Sequence, residues 1–431
     1  MNKCRESARS GISRSLFVLW EVESVSQINR GLKRVIVGAF TIMSLAAIFT
    51  MSVLEAAEKP EVLCADEVLV VNKGTNRLFL LGNTRKRIQE AITAKIASEE
   101  MAGSLPFKVK QAGSYEYEGV MTDVDAQVPV ALIPLSIISD TLDSSYQLKD
   151  KTLYKSVVVG SLYLAICRGG STANNWTMVG AIPVSGFDPV SLGGDINKPW
   201  LVQPSDTQKA DVYATMMEKL IREKLDLSQL KTYLKNINQP TNDTYEVVDV
   251  SMSAKRAPEI FGSQRETIKA LMGSLYSARF QETSKKIVYP PITMMGQKVG
   301  NADRTNEGNK SVADDVSDSI YSLTGGYSTS GATMTLTVPE PAHKIRLNFS
   351  GAVWKELPSK KESLAVKNMG YKAWLRSQVD GQAEKVADDV KAVQYILPES
   401  GSIAAAEKEQ LPDIYTELLV RLADRLAVQK K

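Results

Sequence analysis

One histidine, His343, stands among 431 residues. Chemistry that needs several imidazoles, a multi-histidine metal site above all, has at most one ring to draw on. His343 follows Pro339-Glu340-Pro341 and opens an alternating run, which reads as a solvent-facing residue at a strand start. Ser228 and Lys231 have the S-x-x-K spacing by which a helical lysine reaches a serine one turn away. Neither companion string, K-T-G or S-D-N, occurs. Asp123 and Asp125 form a D-x-D, and VADDV occurs twice, at 312–316 and 386–390. Paired carboxylates can bind a divalent cation. They also suit the first turn of a helix, where negative charge meets the positive dipole end, and that reading is the stronger. No G-x-G-x-x-G or P-loop string is present. The chain is therefore read with no catalytic residue, no cofactor and no metal site.

Two side-chain types remain as handles. Cys64 and Cys167 could pair in an oxidising compartment, but spacing fixes nothing, and the alternative is two small buried side chains that never meet. Trp176, Trp200, Trp354 and Trp374 are mostly expected in cores. Trp200, which follows Asn197-Lys198-Pro199, is the candidate partner-binding residue: at a loop edge it could anchor a peptide or a glycan strand.

The elements that would position these residues lie beyond an apolar run. Val35 to Leu54 carries no charge, with Lys33-Arg34 before it and Glu55 and Glu58 after it. A helix of this length, about 30 Å, matches a bilayer core. The flanking charges keep the N-terminus in the cytoplasm and send the rest across. Ala56-Ala57 before Glu58-Lys59-Pro60 reads as a signal-peptide cleavage region, with an uncleaved inner-membrane anchor as the alternative. The formal net charge is +3, and the leader to residue 34 together with Glu55 accounts for it, so the exported part is close to neutral. It offers no basic field to a phosphate backbone, which argues against a nucleic-acid partner.

The spacing of apolar residues predicts an α+β chain of two tandem mixed-sheet α/β units with helices on one face, behind an N-terminal signal or anchor helix. The leader covers 1–57, the first unit 58–235, a polar linker 236–245 and the second unit 246–431, with the second a candidate duplicate of the first. The segments starting at Asp211 (DVYATMMEKLIREKL) and Asp413 (DIYTELLVRLADRL) each read as an amphipathic helix closing a unit. Ser205 or Asp206 is the expected cap of the first, and Pro412 the first turn of the second. Asn83 and Ser263 are expected caps of earlier helices, the latter in a capping box with Glu266. Strands are expected over 130–138, with Pro134 forcing an edge or a break, over 156–167, and along Trp176, Met178, Ile182 and Val184. Met334–Val338 and Ile345–Val353 read as a hairpin.

Val70–Leu81 (VVNKGTNRLFLL) resembles the opening hairpin of L,D-transpeptidase domains. That family's catalytic segment joins a histidine and a cysteine in a Gly-rich turn. Cys167-Arg168-Gly169-Gly170-Ser171 supplies the cysteine and the glycines without a histidine, so the resemblance implies a hairpin turning at Asn72-Lys73-Gly74 and no transpeptidase. The function that fits is an exported, bacterial-type cell-envelope protein with a non-catalytic binding or assembly role, in the periplasm or at the cell surface. Its partner would be an envelope protein or a cell-wall component. An envelope hydrolase or transferase using a carboxylate pair, and a membrane-anchored ligand sensor, are the alternatives.

Overall fold

The structure, a computed structural model, describes residues 61–428 apart from 66–67, 72, 106, 113–129, 149–150, 170–174, 190–201, 236, 238–242, 296–318, 324–333, 359–365 and 397–402. The leader with Val35–Leu54, Asp123 and Asp125, the first VADDV and Trp200 lie outside these residues. Among the described residues no helix is long and apolar enough to cross a membrane.

From the N-terminal side come β1 (Glu61–Ala65), β2 (Leu69–Val70), α1 (Thr84–Met101) and β3 (Lys108–Ala112). Three long strands follow, β4 (Val130–Leu148), β5 (Lys151–Gly169) and β6 (Asn175–Pro189), then α2 (Asp206–Lys224) and a short α3 (Leu230–Lys235). The second half has β7 (Thr244–Ser251), α4 (Ala257–Phe261), α5 (Arg265–Ser284), β8 (Ile287–Tyr289) and α6 (Ile292–Met295). It ends with β9 (Ser319–Leu323), β10 (Met334–Val338), β11 (His343–Glu356), β12 (Val366–Val379), β13 (Lys385–Ile396) and α7 (Ile403–Ala427).

The two halves repeat one topology. The first sheet runs β3-β1-β4-β5-β6 and continues to β10 and β9, with β2 pairing β4; the second runs β8-β7-β11-β12-β13. In each, the first two pairings are parallel and the next two antiparallel. In each, a helix follows the opening strand and another closes the half. These are the two tandem α+β units that the apolar spacing implies.

The units stack in layers. Gly160 of β5 faces α2: a Cβ built there would meet Tyr213 and Met217. Tyr163, of opposite parity, donates to the carbonyl of Ser274 on α5, 3.4 Å away. The first sheet is thus sandwiched between α2 and α5, and β4 and β5 are buried on both faces from Ala131 to Leu142 and from Val158 to Cys167. The second sheet lies beyond α5 and α7, with Ile345, Leu347 and Phe349 turned inward. Polar ties bind sheet to helix layers. Asp140, nearly buried, accepts from Arg77 Nε at 2.8 Å and from Thr267 of α5 at 2.7 Å. Buried Lys209 of α2 reaches Asp143 at 2.8 Å.

Several expectations are corrected. Met334–Val338 and the strand from His343 belong to different sheets: β10 runs parallel to β6 and antiparallel to β9, so no hairpin forms. The bend at Pro339-Glu340-Pro341 sends the chain from one sheet to the other. Lys73–Thr75 and Leu78–Leu80 are 3-10 turns rather than a returning strand, held by Asn76, which donates to the Ile137 carbonyl and accepts from Ser136. Pro134 sits inside β4, not at an edge. On one flank it faces Leu164; on the other it falls between the stretches paired with β1 and with β2, with no strand partner among the described residues. Ser205 does cap α2, in a full capping box with Gln208. Asn83 and Ser263 make no capping bond, and Ser263 lies instead in a 3-10 turn before α5. Pro412 is internal to α7, where the lost hydrogen bond is outweighed by burial of Leu411, Ile414 and Tyr415. The second VADDV is a strand rather than a helix start. Alternation along β13 turns Asp388 to Lys372 and Asp389 to Arg421 and Arg425 of α7.

Candidate functional site

Among the described residues, β10 pairs with the outer edge of β6 at Asn175–Thr177 and no farther. Farther along that edge a cavity of about 650 Å3 opens, touching Ile182, Pro183, Val184 and Ser185 in succession. Successive strand residues point to opposite faces. A cavity that meets four in a row lies along the strand's edge, in the position a further strand would take. The end of α2 and the turn after it wall one side with Glu223, Asp226 and Gln229. Helix α5 walls the other with Ala278, Arg279, Gln281 and Glu282. A smaller cavity of about 320 Å3 shares Glu223, Lys224 and Asp226 and extends past Ser228 to Lys95 and Glu99.

The direction of the edge groups follows from the register. Pro183 pairs with Tyr163 of β5 and has no N–H to give it. In an antiparallel pair a residue's N–H and C=O point the same way, and successive residues alternate. Ala181, Pro183 and Ser185 therefore turn their backbone groups away from β5. The Ala181 carbonyl agrees: it accepts from Gln281 Nε2 at 2.8 Å and from the Tyr233 hydroxyl at 3.4 Å. The close side-chain contact of a non-hydrogen-bonded pair agrees as well, since Ser161 and Ser185 hydroxyls lie 2.8 Å apart.

Gln281 organises the inner end of the groove. It is 3% exposed. Its Nε2 has three acceptors around it, the Ala181 carbonyl, Gln229 Oε1 at 3.0 Å and the Tyr233 hydroxyl at 2.8 Å, which fixes the orientation of the amide. Its Oε1 is left without a partner among the described residues. The rim carries charges of both signs, and one of its cations is paired within it. Arg279 bonds Glu282 at 2.6 Å and pairs with Asp424 at 2.8 Å, and the Glu282 bond holds the guanidinium above its ordinary range. Burial pushes the Asp226 carboxyl up, but the Ser228 hydroxyl and amide outweigh it and hold the group below its usual value.

The residues singled out in the sequence are scattered. Ser228 donates its hydroxyl to Asp226 at 2.6 Å, in a capped turn, and Lys231 is exposed. His343 is half-buried rather than solvent-facing, stacked on Tyr245 with ring centroids 4.6 Å apart. Cys64 and Cys167 are both buried, and neither is in a disulfide. They sit on β1 and β5 with β4 between them, opposite Leu132 and Ala131. Two strand spacings, about 9.5 Å, exceed the span of a disulfide. Trp176 is core, Trp354 lies under Arg256 with the guanidinium 3.8 Å from its ring, and Trp374 lies under Lys372 at 4.9 Å. Among the described residues no group of three or more metal-ligating side chains comes together. Gln281 and Ser185 escaped notice. The signal was present: Thr267, Ser274, Ser277 and Gln281 are polar residues among the otherwise mostly apolar ones that the helix buries. Helix α5 lies between two sheets and so has two buried faces.

No family model matches the chain, and no curated protein matches it either. Among solved structures, a neuraminyllactose-binding hemagglutinin homolog from Helicobacter pylori aligns at TM-score 0.26 and 10% identity, over 42% of this chain and 90% of that one. The rare lipoprotein B from Shewanella oneidensis aligns at TM-score 0.18 and 10% identity, over 41% and 89%. Likenesses this faint carry no argument about this chain.

Proposed function

We propose that the protein is an exported cell-envelope component whose body from Pro60 onward works by binding, holding an envelope protein or a cell-wall component in the groove beside β6. The observation that carries this reading is the make-up of the groove. Its floor is a strand edge, its inner end a buried amide fixed by three acceptors, and its rim carries charges of both signs, with Arg279 matched to Glu282 and Asp424. Such a site holds a ligand by hydrogen bonds and shape. The export half of the reading rests on the uncharged run Val35–Leu54 behind Lys33-Arg34.

The test places a cysteine at Met101, which is 84% exposed at the end of α1. In spheroplasts a membrane-impermeant maleimide labels Met101→Cys if the body is exported, and leaves it unlabelled until lysis if the body is cytosolic. For the binding half, a photo-crosslinking residue at Ala278 captures a partner in whole cells, whereas one at Lys86, on the exposed face of α1, does not. Equal capture at both positions would count against a groove-centred role.

A further inference from the structure

From this binding role we infer the ligand class: the groove takes an extended polypeptide segment, added as a strand to the free edge of β6. The first argument is position. The cavity lies in line with the first sheet, between α2 and α5, where the sheet would continue. The second is precedent in the same molecule. β10, an extended segment from the second half, already pairs with this edge at Asn175–Thr177. Among the described residues no strand pairs with this edge from Ile182 to Ser185, beyond the Ala181 carbonyl that Gln281 and Tyr233 occupy, so a guest strand would lie along an edge that already takes one.

The third argument is the set of groups on offer. The Pro183 carbonyl and the Ser185 N–H and carbonyl face outward. A strand advances about 3.3 Å per residue, so Ile182–Ser185 accommodates about four residues of guest backbone. Recognition of this kind draws affinity from main-chain hydrogen bonds and tolerates varied side chains. Pro183 has a second effect. It removes one donor from the edge, which blunts indiscriminate edge-to-edge pairing while leaving the acceptors open.

The test uses full-length protein and a fluorescein-labelled, end-blocked peptide bearing the β10 sequence Met-Thr-Leu-Thr-Val between two glycines, with a panel varied at the side chains. Fluorescence anisotropy should show saturable binding. Ser185→Pro removes the outward N–H and the hydroxyl contact with Ser161 but no backbone bond of the β5 ladder, and should weaken binding about tenfold. Methylating alternate peptide nitrogens should weaken it as much, because side chains are kept and backbone donors lost. Ala278→Trp, which fills the slot from α5, should abolish it and serves if Ser185→Pro fails to fold. No binding across the panel up to millimolar peptide, or binding indifferent to N-methylation and to both variants, overturns the inference. If the panel fails while Ala278 still crosslinks a partner in cells, only the ligand class falls. If both fail, the binding role falls with it.

Discussion

Replacing Gly160 by alanine tests how tightly α2, and with it the groove wall at Glu223–Asp226, is seated on the first sheet. Gly160 and Gly186 are cross-strand partners, and together they form a shelf under the helix. A Cβ at Gly160 would stand 2.7 Å from Met217 Sδ, 2.7 Å from the Tyr213 ring and 3.0 Å from Met216 Cε. Met216 can swing aside, but the Tyr213 ring is fully buried and the Met217 sulfur lies within its chain, so the helix must shift. Overpacking of this kind costs about 1–3 kcal/mol. Alanine also reduces the freedom of the unfolded chain, which offsets about 0.4–1 kcal/mol. The net loss is roughly 0.5–2.5 kcal/mol, on the order of a tenfold change in the folding constant. Urea titration followed by tryptophan fluorescence reads it as a lower midpoint at unchanged slope. Because the clash is local, Met217→Ala should partly relieve it, giving a favourable coupling of about 0.5 kcal/mol or more in a double-mutant cycle. A Gly160→Ala protein as stable as wild type, or additive effects of the two changes, would refute the shelf.

Ser205→Ala dismantles the capping box of α2 and should lower stability by about 1 kcal/mol in the same titration. Cys64 and Cys167 should resist Ellman's reagent in the native state and react after unfolding, as peptide mapping would show, since both are buried and burial pushes the Cys167 thiol up. Asp226 titrates below the ordinary 3.8, so its contribution is complete above that value and is lost as pH falls through the lower, folded value. Asp226→Asn should therefore flatten the acid limb of the stability profile, and an unchanged limb would contradict the cap. Asp140→Ala removes the acceptor shared by Arg77 and Thr267 and should cost about 1–3 kcal/mol, read by urea titration.

What could be read from the sequence was what depends on local periodicity. In the segments from Asp211 and Asp413, the cluster Tyr213, Met216 and Met217 and the run Tyr415, Leu418, Leu419 and Leu422 lie on buried helix faces as their spacing implied. The fold class followed, because each unit repeats strand, helix and a three-stranded meander. What escaped depends on partners far along the chain. Met334–Val338 alternates as well as any hairpin arm, and nothing in its own residues says that it crosses to β6. VADDV at 386–390 has the composition of a helix start, but Asp388 is held by Lys372 and Asp389 by Arg421 and Arg425 some thirty-odd positions later, at 2.7 and 3.2 Å. The groove was illegible for the same reason. Ser185 matters through the direction of its N–H, which Pro183 and the register with β5 decide, and Gln281 matters because two sheets meet on its helix.

The central claim is that the β6 edge stands open at Ser185 while its neighbours are locked to β5. Hydrogen exchange resolved to single amides by fragmentation mass spectrometry, on the free full-length protein, tests it directly. Slow exchange at Ile182 and Val184 with fast exchange at Ser185 is the predicted pattern. Protection of Ser185 equal to that of Val184 in the absence of any ligand would mean the edge is already covered, and would contradict the account.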